Sequence, residues 1–177
     1  MEVSTLTIVD YDPRWPAMFE AERARLAAAM GDLAIRIEHN GSTAVPGLAA
    51  KPIIDLQISV VSLTPLVPLV ARLTPLGYVH VPHADDAFCP FLHRPATWPH
   101  THHVHLVEAG GVEERRTLAF RDHLRTHIGA AREYERLKRE LASRTDADDP
   151  ASRDAYAHAK TDFIERILRE CSPPPRS

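Results

Sequence analysis

Cysteine is nearly absent from this chain: Cys89 and Cys171 are the only two in 177 residues, and their spacing is not that of a metal-binding pair. That argues against a disulfide-stapled secreted fold and for reduced thiols in the cytoplasm. An excess of charge of one sign is lacking too. The formal net charge of -3 argues against nucleic-acid binding through bulk electrostatics. No basic stretch followed by an apolar core opens the chain, so no signal peptide is expected. The apolar run from Pro52 to Leu73 is broken by Asp55, Gln57 and Arg72 and by Pro65 and Pro68. It divides into a strand and a helix rather than crossing a membrane. No internal repeat, nucleophile elbow, Walker-type loop or Cys-x-x-Cys pair is present.

What remains is ordinary globular chemistry, 44% hydrophobic and 25% charged, enough for one domain over residues 1–171. Residues 172–177, with their triple Pro, form a disordered tail. Thr5 to Val9 is a short strand-like lead, and Asp12-Pro13 starts a helix whose apolar face runs through Trp15, Phe19, Ala27 and Met30 to a stop at Gly31. Strands follow at Ala34 to Glu38 and Pro52 to Val61. Thr64-Pro65 opens a helix ending near Gly77. Tyr78 to Val81, Ala87 to His93 and His102 to Val107 are further strands, the first two joined by a turn at Asp85-Asp86. Helices at Glu113 to Thr126, Ala130 to Arg144 and Ala151 to Glu170 make the C-terminal third helical, the last opening at Asp149-Pro150. The order predicts an α+β fold, a mixed sheet flanked by helices.

The most informative stretch runs from Ile37 to Gln57. A strand leads into a tight Gly41-Ser42 turn, then a Pro/Gly connector, then an apolar strand carrying one carboxylate, Asp55. Backbone amides of such a turn, with the Ser42 hydroxyl, suit a phosphate chain, and Asp55 suits a metal riding on it. The alternative is a plain strand connection with Asp55 at a strand edge. His103 and His105, two apart on a strand, face the same way. With Asp55 they would make a His-His-carboxylate site for zinc, manganese or iron. Otherwise they hydrogen-bond backbone or substrate. His39 contacts a phosphate, serves as acid or base, or makes a structural hydrogen bond. Lys51 precedes the Asp55 strand within reach of a triphosphate. Tyr134/Lys138 and Tyr156/Lys160 are i, i+4 pairs, each on one helical face.

Three segments carry a family resemblance. They are His39-x-Gly41-Ser42-Thr43-Ala44-Val45-Pro46-Gly47-Leu48, Ala50-Lys51-Pro52-Ile53-Ile54-Asp55, and Thr101-His102-His103-Val104-His105. With Phe120-Arg121-Asp122-x-Leu124-Arg125, Tyr134-x-x-x-Lys138 and Tyr156-x-x-x-Lys160, the chain resembles the GrpB family. That is a bacterial group within the polymerase-beta-like nucleotidyltransferase superfamily. The resemblance implies a nucleotidyltransferase-like sheet and transfer of a nucleotidyl or phosphoryl group from a nucleoside triphosphate to a small acceptor. It implies phosphate binding by Gly41, Ser42, Lys51, Arg121, Lys138 and Lys160, and a divalent metal, magnesium or manganese, on Asp55. His103 or His105 would bind metal or act as base. The superfamily pattern has a second acid two residues after the first; here Gln57 stands there. Two alternatives therefore stay open, a non-catalytic nucleotide- or ligand-binding domain and a His/Asp metal-dependent enzyme on a small polar substrate. Relatives fused to a dephospho-coenzyme A kinase make coenzyme A metabolism a further hint. The partner expected is a small molecule, a nucleotide first; the sequence carries no sign of oligomeric state.

Overall fold

Alternation along one strand divides the molecule into an apolar and a polar half. In β2 (Ile54–Val60), Ile54, Leu56, Ile58 and Val60 are at most 1% exposed, while Asp55, Gln57 and Ser59 point to the opposite face. The computed structural model describes residues 5–171. Around β2 it arranges β1 (Arg36–Asn40), β3 (Val79–Val81), β4 (Phe91–Arg94) and β5 (His102–Glu108) in the order β1-β2-β5-β4-β3. Only β2 and β5 are parallel; the other neighbours are antiparallel. The mixed α+β architecture agrees with the expectation. The tail, residues 172–177, lies outside the described residues.

The apolar face is covered by α1 (Trp15–Met30) and α2 (Val67–Leu73), whose Trp15, Phe19, Leu26, Met30, Leu69 and Leu73 pack on Leu56, Ile58, Leu92, Val104 and Leu106. The buried stripe of α1 runs through Leu26, and Ala27 faces solvent. Glu22 also sits in this stripe, where its carboxylate accepts from Tyr78 Oη at 3.0 Å and from Arg94 at 3.1 Å, and Arg25 at 2.7 Å. A buried carboxylate with three donors is stable only while all are present. We expect Glu22→Ala to cost about 3 kcal/mol, since it strands the Tyr78 hydroxyl and the Arg94 charge. Urea denaturation midpoints of the two proteins check it.

The polar face is covered at one end by α3 (Val112–Thr126). Glu114 accepts from Arg36 at 2.6 Å and from Gly110 N at 2.6 Å, and takes the Ser59 hydroxyl. Thr117 donates to Gln57 Oε1 at 2.5 Å. Beyond it, α4 (Ile128–Ala142), α5 (Pro150–His158) and α6 (Thr161–Cys171) complete the helical third. Leu124, Ala131, Tyr134, Phe163 and Ile167 pack on Val45 and Leu48, so α3, α4 and α6 are seated on the Gly-Ser connector itself.

Local signals misplaced several ends. Thr5 to Val9 forms isolated bridges, Thr5 to Asp146 and Val9 to Ala50, rather than a strand. Asp12 turns its carboxylate to Arg14, and helix α1 begins at Trp15. Helix α2 starts at Val67, after Thr64-Pro65. The long last helix is two: α5 stops at His158 and α6 starts at Thr161. Tyr156 enters one apolar cluster with Leu6 and Ala142, while Phe163 and Ile167 enter another, and a straight helix cannot serve both. Asp149 caps α5, accepting from Ala151 N and Ser152 N at 3.0 and 3.1 Å, where the Asp-Pro signal placed it.

Candidate functional site

Register builds a row of polar residues across four strands. Asn40 pairs with Asp55, Asp55 with His103, and His103 with His93. None of these is near its neighbour in sequence. At the end of β1 the chain turns through Gly41, φ 66, into a single 3₁₀ turn, Ser42–Ala44. A Cβ on Gly41 would stand 2.3 Å from Asp55 Oδ2. Glycine is therefore required twice here, for the left-handed backbone and for contact of the turn with the carboxylate. The first i→i+3 bond of the turn is Ala44 N to Gly41 O, so the amides of Ser42 and Thr43 precede it. Arg125 Nε donates to Ala44 O at 2.9 Å and holds the turn from α3.

Asp55 Oδ1 lies 3.3 Å from His103 Nδ1, and His103 Nε2 lies 3.1 Å from His100 Nδ1. His100 stacks on His93 at 3.8 Å, and His93 Nδ1 is 2.9 Å from Pro95 O. Burial by itself raises the Asp55 carboxyl. The hydrogen bond from His103, the electrostatic pull of His103 and His105 once protonated, and the charge of Lys51 outweigh it and hold the carboxyl at about 2. With Asp55 ionised, His103 Nδ1–H is the donor, and Nε2 accepts the proton carried by His100 Nδ1. Burial, then the charges of His93 and His103, push His100 down to about 3, so it is neutral at pH 7. Sequence patterning missed His100. It precedes β5 by two residues, and the loop returning from β4 sets it against His103 and stacks it on His93.

The opposite wall is cationic. Lys160 Nζ lies 4.2 Å from the Tyr156 ring centroid, Lys51 Nζ lies 5.3 Å from the same ring, and Lys138 Nζ lies 5.0 Å from that of Tyr134. Lys138 is buried and donates to Ala49 O of the connector. Each lysine feels Asp55 as an attractive charge. Burial nevertheless pulls Lys138 down to about 7, helped by Arg139 and Lys51, and pulls Lys160 to about 7, helped by Lys51 and Lys138. Tyr134 and Lys138 share one face of α4, as read from the sequence, whereas Lys160 lies past the end of α5, in the break before α6.

Other candidates lie elsewhere. Arg121 Nη1 donates to Glu38 at 2.8 Å and to His39 O at 2.9 Å, and Nε donates to Asp122 at 2.8 Å. Its guanidinium clamps α3 to β1 rather than facing a ligand. His39 is on the apolar face, stacked on Phe19 at 4.6 Å and bonded to Thr43 Oγ1 at 2.9 Å, which makes it structural. His105 turns to Cys89 Sγ at 3.8 Å instead of joining His103. Asp86 pairs with His80 at 3.0 Å, and Asp85 lies 3.6 Å from His83. Trp98 packs against Arg153 and His100, and Phe91 against His103 and His105.

The donors do not fit a pair of divalent metals. Asp55 is the one carboxylate of the set. Gln57, where a second acid would stand, is fully buried with Oε1 already accepting from Asn40 and Thr117. Among the described residues no three His, Cys, Asp or Glu side chains come together as a ligand group. Asp55 and His103 meet, but His105 does not complete them.

A mixed five-stranded sheet flanked by helices, with a glycine turn laid on a strand carboxylate, defines the α+β architecture of this chain. The family described as GrpB protein matches residues 5–170, and the chain belongs to it. It is similar to the UPF0157 protein BH1888 of Halalkalibacterium halodurans, 35% identical over 96% of this chain and 84% of that one. A crystal structure of conserved protein GrpB from Enterococcus faecalis superimposes with a TM-score of 0.80 at 33% identity, covering 93% of this chain and 96% of that one. A dephospho-CoA kinase of Mycolicibacterium paratuberculosis is 34% identical over 86% of this chain, but that match spans only 45% of the kinase. Among the described residues no helix is long and apolar enough to cross a membrane.

Proposed function

We propose that this chain binds a phosphorylated small molecule, a nucleoside triphosphate first, and transfers a nucleotidyl or phosphoryl group to a small acceptor. The observation that carries this is the gathering of Lys51, Lys138 and Lys160 around Asp55 beside the Gly41-Ser42 turn. Phosphates lie between the turn and the lysines, and the acceptor hydroxyl lies at His103. The acceptor oxygen attacks phosphorus as its proton passes to His103 Nε2, which first releases His100. The bond to the leaving phosphate breaks, and the lysines receive its charge. Asp55 orients His103 and stabilises the imidazolium. A second reading is supported by Gln57: a binding domain that keeps the anion site without turnover.

Calorimetric titration with ATP, GTP, CTP, UTP and dephospho-coenzyme A, with magnesium or manganese present, tests the proposal. We expect measurable binding of at least one. Phosphorus NMR of the same mixtures with candidate acceptors should show turnover in the wild type and none in Asp55→Ala. Heat without turnover favours the binding-domain reading. Negligible heat for every compound overturns both.

The lysines add a pH signature. An anion restores the charged form of Lys138 and Lys160, so their pKa rises on binding. Affinity should be highest below pH 7 and fall as pH climbs through it, with net proton uptake above pH 7. Titration in buffers of different ionisation enthalpy reads that uptake directly.

A further inference from the structure

We infer that the site takes its phosphate group as the free anion, with Lys51, Lys138 and Lys160 standing where metal ions would otherwise neutralise it. The inference rests on the proposed function and narrows its ligand to a phosphate or polyphosphate ester not complexed by a divalent cation.

The first argument is compositional. The chain has 21 basic residues, of which Lys51, Lys138 and Lys160 are the only lysines. All three feel the charge of Asp55, and arginine does every other cationic task. Arginine serves fixed, planar pairing, as Arg36 does with Glu114 and Arg116 with Glu165 at 2.6 Å each. An ammonium is a compact charge with three donors that rotate toward a tetrahedral anion. Where the fold needs ion pairs it uses arginine, and its lysines all feel the charge of Asp55.

The second argument is that these charges are not spent. Among the described residues no carboxylate forms an ion pair with any of the three, while arginines such as Arg25, Arg121, Arg139 and Arg166 are paired. Lys138 gives one N–H to Ala49 O, which anchors it and leaves two donors. Their ring contacts with Tyr134 and Tyr156 hold the ammoniums without neutralising them.

The third argument is the balance of charge at the point where a metal would enter. Below pH 7, where Lys138 and Lys160 carry their protons, Asp55 supplies one negative charge against three ammoniums. The nearby acids are already committed, Glu38 to Arg121 and Glu114 to Arg36. The remaining neighbours, Gln57 and the imidazoles, add no negative charge. A divalent cation arriving alone meets net repulsion; a phosphate arriving alone meets net attraction.

The test is titration of the full chain with tripolyphosphate and with ATP, once in EDTA and once in excess magnesium, for the wild type and Lys160→Gln. Lys160 is partly buried in the turn between α5 and α6, and circular dichroism checks that its replacement leaves the fold intact; Lys51→Gln serves as the second variant. We expect binding in EDTA, several-fold weaker binding once magnesium complexes the ligand, and about tenfold weakening by Lys160→Gln in EDTA. Binding that appears only with magnesium overturns this inference and leaves the proposed function standing. Binding in EDTA that neither lysine variant weakens also overturns it. No heat in either condition overturns the proposed function together with the inference.

Discussion

Lowering the pH from 7 to 5 is expected to remove much of the stability of this fold. Burial holds His39, His102 and His105 at about 4 and His100 at about 3, so all four are neutral in the folded chain. In the unfolded chain each titrates near 6.5. A histidine whose folded pKa is depressed contributes stability that is complete above the unfolded value and is lost as pH falls below it. The loss levels off only near the folded pKa, so the window lies between about 6.5 and 4. For one well-buried imidazole such as His39 the loss by pH 5 is about 2 kcal/mol. His100 is more open to solvent and contributes less. With several groups acting together, the loss approaches the whole stability of a domain of this size. Thermal melts at pH 8, 7, 6 and 5 should show little change above pH 7 and a steep fall below 6.5. A flat profile to pH 5 would show that these imidazoles reach solvent in the folded state. His39→Gln should shift the fall to lower pH, because glutamine keeps a bond to Thr43 and does not charge.

The second large effect is at Gly41. In Gly41→Ala the added methyl meets Asp55 Oδ2 at 2.3 Å and Asp55 Cγ at 2.8 Å, on a backbone with φ 66. The left-handed strain costs about 1–3 kcal/mol and the forced displacement a similar amount. We expect a total of about 3 kcal/mol, or a melting temperature lower by about 10 °C. Ligand binding should also be lost, since the carboxylate can yield only by leaving His103. A second substitution separates the two costs. Gly41→Ala combined with Asp55→Gly removes the clash and keeps the strain, so it should recover part of the stability and none of the turnover. If Gly41→Ala alone melts like the wild type, the turn does not lie on the carboxylate as described.

The candidate site was legible in unequal parts. The Gly-Ser turn and Asp55 stood out because a carboxylate in an aliphatic strand and a glycine in a turn are local patterns. Lys138 was legible as the partner of Tyr134 because four residues is one helical turn, whereas Lys160 reaches the Tyr156 ring from the turn beyond α5. The scarcity of lysine was the stronger signal, since it would have grouped Lys51 with them at once. His105 was misjudged: a strand alternates its side chains, but alternation does not say whether the ring leans toward His103 or toward Cys89. Arg121 was misjudged for the opposite reason. Its motif is local, but whether its guanidinium faces a ligand or Glu38 depends on where α3 crosses β1.

By itself the sequence determined the periods: two along β2, which separates Ile54, Leu56 and Ile58 from Asp55 and Gln57, and near four along α4, which puts Tyr134 and Lys138 on one face. It also determined the ends that have chemical caps, such as Asp149, because those are set by residues within a turn of one another. The tertiary structure alone decided which rows align. Asn40, Asp55, His103 and His93 become neighbours through strand register, and the break between α5 and α6 follows from two apolar clusters competing for one segment. Register and packing are long-range and cooperative, so no local pattern encodes them. They set the row of imidazoles against Asp55 and bring all three lysines to the same turn.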